Sequence, residues 1–134
     1  MPFYDEKDYV MRLIKQMTEL IISLVFGREY TIAELWNVDK VSIYGMNLEK
    51  YEDMVDNGDI NRAENLLIEG IDFSDRYQIL MAVLFYKYIG SKEEEFLIRF
   101  NYSKEEVVEG LQYLADNSGY GDVVRYLSSG IDIK

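Results

Sequence analysis

The chain has a single proline, at position 2. Every later residue is therefore free of the one side chain that both removes a backbone donor and clashes with the preceding helical turn. Such a chain can run through long helices and end them only with glycines and polar caps. The nine glycines fall singly, mostly where helical spacing gives out, which is how glycine is used to terminate helices. Hydrophobic residues make up 49% of the 134 positions, enough to fill one core. The expectation is an all-α bundle of about six or seven helices arranged as helical hairpins.

The first helix is expected from about Asp5 to Phe26, closed by Gly27. Val10, Leu13, Met17, Leu20 and Leu24 recur at alternating spacings of three and four, and Ile14, Ile21 and Val25 widen that stripe. Two heptads do not establish a coiled coil, but so broad an apolar arc asks for a partner. Thr31 to Glu34 has the form of a capping box, and Val38 to Tyr44 is expected to be connector. A helix over Met46–Asn57, the Gly58-Asp59 turn and a helix over Ile60–Glu69 follow, with Gly70 closing the pair. Asp72 or Ser74 is expected to cap the next helix, which runs to Ile89 and ends at Gly90. Its segment Ile79–Tyr86 is apolar around the whole circumference, which assigns it to the middle of the bundle. Ser91 with Glu94, and Ser103 with Glu106, form two more capping boxes, opening helices over Lys92–Phe100 and Lys104–Asp116. Tyr120–Ser129 is the last. The division expected is an N-terminal association helix in residues 1–30 and a helical-hairpin domain in 31–134.

Asp8-Tyr9-Val10-Met11-Arg12-Leu13-Ile14-Lys15-Gln16 resembles the opening signature of an uncharacterised bacterial domain-of-unknown-function family, whose members begin with a helix of that pattern. Gly58-Asp59-Ile60-Asn61-Arg62-Ala63-Glu64-Asn65-Leu66-Leu67 is similar to the internal helical-hairpin motif of the same family. The resemblance covers most of the chain and implies a helical fold, with no catalytic residues to carry over. The second stretch also looks like half of a tetratricopeptide repeat. No second copy follows at a 34-residue spacing, so the hairpins are expected to be repeat-like without forming a true repeat array.

The chemistry open to this chain is narrow. With no histidine and no cysteine, it has no thiolate nucleophile, no imidazole base and no Cys/His zinc site. No cofactor and no catalytic constellation are expected. Residues Asp53 to Glu64 align with a calcium-binding loop, Asp53 at position one, Asn57 at five, Gly58 at the turn and Glu64 at twelve. Position three is Val55, which brings no oxygen, so calcium is not expected to bind. Asp53 with Asp56, and Glu105 with Glu109, are paired carboxylates with nothing in the sequence to bury them. Gly119-Tyr120-Gly121 lacks the strand, third glycine and base of a phosphate loop.

Net charge is −11, concentrated in residues 41–75, where nine acids face Lys50 and Arg62. Such a surface repels nucleic acid and anionic lipid. The acidic start at Asp5, Glu6 and Asp8 is unlike a signal peptide, and a cytoplasmic location is the expectation. The 12 tyrosines combine contact area with a hydroxyl, as interfaces favour. Tyr102, Tyr113, Tyr120 and Tyr126 are candidates for one partner groove. The functional expectation is a non-enzymatic protein-interaction or scaffold module, a homodimer associating through Val10, Leu13, Met17, Leu20 and Leu24. The alternatives are a peripheral membrane module using the same helix, or a carboxylate- and tyrosine-lined small-molecule binder or enzyme.

Overall fold

The computed structural model describes residues 6–27 and 48–133. These form seven helices: α1 Glu6–Phe26, α2 Leu48–Asp56, α3 Ile60–Glu69, α4 Arg76–Gly90, α5 Glu94–Arg99, α6 Lys104–Asn117 and α7 Gly121–Ile133. No strand occurs among the described residues, and the molecule is an all-α bundle. The Thr31 capping box and the Val38–Tyr44 connector lie outside the described residues.

Helix α4 is the hub, packing against α1, α2, α3 and α6. Neighbours on so many sides leave little room for a polar face. The run Ile79, Leu80, Met81, Ala82, Val83, Phe85, Tyr86 and Ile89 is accordingly buried. Helix α1 lies against α4, α6 and α7, and its apolar residues join those of the later helices in one core cluster. Val10 and Met17, from the heptad stripe, are buried, while Leu13, Leu20 and Leu24 are partly buried and packed on the core. The deepest positions are Ile14, Met17, Thr18, Ile21, Ile22 and Phe26, so the buried face is centred one position round from the stripe. Three neighbouring helices, in place of one hairpin, take up the broad apolar arc.

Three helix ends close in the same way. Gly58, Asn101 and Gly119 have positive φ. In each case the amide of the following residue reaches back five positions, Asp59 to Met54 O, Tyr102 to Leu97 O and Tyr120 to Ala115 O. The left-handed residue is what lets the chain reverse while the last carbonyls stay bonded. Asn101 serves at the second of these because asparagine tolerates that conformation better than most residues.

Two expected caps are placed differently. Neither Asp72 nor Ser74 caps α4: Asp72 accepts from the Ser74 amide and hydroxyl, closing a local turn, and Asp75 is the cap, accepting from Tyr77 N at 3.0 Å. Ser91 opens no capping box. It continues from α4, its hydroxyl donating to Tyr88 O, and α5 begins only after Glu93, which makes no side-chain cap. Ser103 does cap α6, accepting from Glu106 N at 3.2 Å. One further link holds the ends together. Lys104, only 6% exposed, donates its ammonium to Gly90 O at 2.8 Å and Lys92 O at 2.6 Å and touches Met11 Sδ. A cation there satisfies carbonyls at the C-terminal end of α4 and complements that helix's dipole.

Candidate functional site

Helices α3, α4 and α6 leave an open cleft of about 310 Å³, lined by Glu64 and Ile68 of α3, Tyr86 of α4, and Glu106, Glu109 and Tyr113 of α6. Its floor depends on Gly110. A Cβ at that position would lie 2.7 Å from Tyr86 Oη and closer still to the ring carbons. The bare glycine therefore lets the Tyr86 ring lie flat against α6, almost wholly buried. From there its hydroxyl donates to Glu64 Oε2 at 2.7 Å. Burial, and then the bond to Glu64, push the Tyr86 phenol far above its usual pKa. The group stays a neutral donor.

Tyr102 is 2% exposed, and its hydroxyl makes no hydrogen bond. Burial first, and then the neighbouring Glu64 carboxylate, raise its pKa strongly too. A second phenol thus sits beside the same carboxylates. Tyr113, 45% exposed, stands at the rim and meets Phe73 edge-on at 6.0 Å between ring centres.

The electrostatics of the cleft are one-sided. Glu64, Glu106 and Glu109 form no ion pair with a lysine or arginine among the described residues. Other surface carboxylates do find cations: Asp56 binds Lys92 and also accepts from Tyr88 Oη at 2.6 Å, and Asp116 and Asp122 share Arg125. The Lys92 bond, more than the Tyr88 bond, holds the Asp56 carboxyl below its usual pKa. Three carboxylates, a buried neutral phenol donor and an exposed tyrosine face suit an organic cation. The carboxylates supply charge and acceptors, and the ring supplies its negative π surface.

The sequence-predicted residues distribute unevenly around this site. Tyr113 lines the cleft and Tyr102 lies beside its carboxylates. Tyr120 is half-buried against the core and Tyr126, 77% exposed on α7, is not among the residues of this lining, so the four tyrosines do not line this cleft together. Val10, Leu13, Met17, Leu20 and Leu24 are on α1, which contributes nothing to the cleft. Of the calcium-loop residues, Val55 is fully buried in the core and Glu64 turns to Tyr86. No cluster of three or more metal-binding side chains occurs among the described residues. Glu105 does not line the cleft with Glu109; Glu106 does. Sequence reasoning missed Tyr86, submerged in an apolar run, and Gly110. An isolated glycine inside a helical pattern is the usual sign of a close approach, and it was the available clue.

Among the described residues no helix is long and apolar enough to cross a membrane. No curated protein and no solved structure matches the chain. A family model described as a family of unknown function (DUF6483) matches residues 4–119, which span α1 through α6 and all the residues of the cleft. The chain belongs to the DUF6483 family.

Proposed function

We propose that this chain is a helical protein-interaction module whose α3–α4–α6 cleft receives a lysine or arginine side chain of a partner protein. The observation that carries the reading is the trio Glu64, Glu106 and Glu109, which border a concave, tyrosine-lined site and have no cationic partner among the described residues. Carboxylates placed in this way are electrostatically unfinished. A guanidinium or ammonium group completes them, and Tyr113 offers a face for it. The remaining acidic surface favours encounter with a basic segment. The α2–α3 hairpin, turning at Gly58, supports a tetratricopeptide-like reading of this part of the scaffold.

Selection from a random peptide library tests the proposal. The wild-type protein should enrich peptides with lysine or arginine at one fixed position. A Glu106→Gln/Glu109→Gln variant should lose that enrichment while keeping its helical circular dichroism. Enrichment that ignores cations, or that survives both substitutions, refutes the reading.

Self-association through α1 has less support, because Val10 and Met17 face the chain's own core. Sedimentation equilibrium separates the two ideas. A dimer disrupted by Leu13→Asp/Leu20→Asp with the fold intact would return the recognition surface to α1.

A further inference from the structure

The turn between α2 and α3 carries the dipeptide Asn57-Gly58, and no other asparagine in the chain precedes a glycine. That pairing leaves a side-chain amide most open to attack by its own backbone. The nucleophile is the nitrogen of the next residue, and glycine has no Cβ to hinder its approach. Asn57 is exposed to water, so the reactants are all at hand.

The folded turn withholds that nitrogen in three ways. The Gly58 amide donates to Val55 O at 2.9 Å, and an amide bonded through its proton gives that proton up less readily. Asn57 completes the last turn of α2, its own amide donating to Asp53 O at 3.0 Å, and helical backbone turns the following nitrogen away from the side-chain carbon. Gly58 is held at positive φ with the Phe100 ring laid against it, so close that a Cβ on Gly58 would fall well inside van der Waals contact. Phe100 lies at the end of α5, packed on the core and edge-on to Phe96 at 5.0 Å between ring centres.

From this arrangement we infer that Asn57 is a self-modifying site gated by the turn: closed, the Asn57-Gly58 pair is protected, and opened, it converts. In the open turn hydroxide removes the Gly58 amide proton and the nitrogen attacks Asn57 Cγ. The new N–Cγ bond closes a succinimide ring, the Cγ–Nδ2 bond breaks, and Nδ2 leaves as ammonia with a proton from water. Water then opens the ring. Attack at Cγ restores the ordinary backbone with an aspartate side chain, while attack at the main-chain carbonyl leaves an isoaspartate linked through Cγ. Water enters and ammonia departs, with no oxidation and no second substrate. Either product adds a carboxylate near Asp53, Asp56 and Asp59 at the C-terminal end of α2, where the helix dipole disfavours negative charge. The isoaspartate also lengthens the main chain inside the loop that the Asp59 amide closes on Met54 O. Loss of ammonia makes the change irreversible, so it marks each copy whose α2–α3 turn has opened.

The test follows the full chain in mildly alkaline buffer by peptide mapping and mass spectrometry, reading the mass gained when the amide becomes an acid. In denaturing guanidinium chloride Asn57 should convert before any other asparagine. In the folded protein it should convert at least about tenfold more slowly, because only the open fraction reacts. Phe100→Ala, which takes the ring off Gly58, should raise the folded rate at least about threefold while the helical circular dichroism is kept. If Phe100→Ala fails to fold, Phe100→Leu takes its place with the same direction expected. Equal rates in the folded and unfolded chain overturn the inference. So does an Asn57 that stays intact in denaturant, or a folded Phe100 variant that converts no faster than wild type.

Discussion

Replacing Gly110 with alanine reads out the construction of the cleft in one number. In the interior of an exposed helix the change would stabilise the protein by about 0.8–1 kcal/mol. Gly110 is mid-helix in α6 with no special backbone conformation, so propensity alone predicts a gain. The new Cβ, however, meets the Tyr86 ring well inside van der Waals contact. Tyr86 is 1% exposed and cannot swing away without disturbing the core. Overpacking of this kind costs about 1–3 kcal/mol. A displaced ring also loses its bond to the Glu64 carboxylate, worth about 1.5–3 kcal/mol where the acceptor is charged. The two losses need not be complete together, and set against the propensity gain they leave about 2 kcal/mol net destabilisation. Urea unfolding would show it as a lowered midpoint at unchanged slope. Gly110→Ala should turn stabilising, by up to about 1 kcal/mol, in a Tyr86→Leu background where the ring is gone. The cycle should therefore give a coupling of about 2–3 kcal/mol. A stabilised Gly110→Ala single variant, or a coupling near zero, would show that the ring does not rest on Gly110.

Three other outcomes follow from named contacts. Ser103→Ala removes the hydroxyl that accepts from Glu106 N and should cost about 1 kcal/mol by denaturant unfolding; no change would mean that Ser103 does not cap α6. Tyr86 and Tyr102 have folded pKa values raised above their usual 10.0, so the stability tied to their neutral forms is complete below about pH 10 and is lost as pH rises beyond it. A phenolate absorbance titration should find both tyrosines silent until the helical signal collapses, and full ionisation of every tyrosine in a still-helical protein would contradict their burial. Millimolar calcium should leave the melting temperature where a chelator leaves it, because Val55 offers no ligand and lies in the core; a saturable rise would reinstate the loop.

Much of the helical layout was legible because its signals are local. The Gly58-Asp59 turn, the Ser103 cap and the apolar circumference of Ile79–Tyr86 each depend on residues close in sequence, and each stands where periodicity and capping chemistry put it. Ser91 misled because a serine with a glutamate three residues on fits an N-cap equally well when the preceding helix overruns it. The face of α1 was displaced by one position because a heptad count assumes one partner, whereas α4, α6 and α7 together select Ile14 and Ile21. The cleft was the least legible part. Its carboxylates at 64, 106 and 109 come from helices distant in sequence, and each had a local explanation as loop ligand, cap or helix-face pair. Nothing local to Glu64 announces that Tyr86 will donate to it from 22 residues away.

The placement of α1 also sets an order of events in time. Its partners α4, α6 and α7 all come later in the chain, and the Lys104 ammonium that reaches Met11 Sδ is 93 residues downstream of it. At ~5–20 residues per second of synthesis, the apolar face of Ile14, Met17, Ile21 and Ile22 has left the ribosome for several seconds before α6 exists to cover it. Through that interval α1 is an unsatisfied amphipathic helix, open to chaperones and to other nascent copies. The final docking of α1 must close loops spanning most of the molecule, which makes it a slow step in assembly.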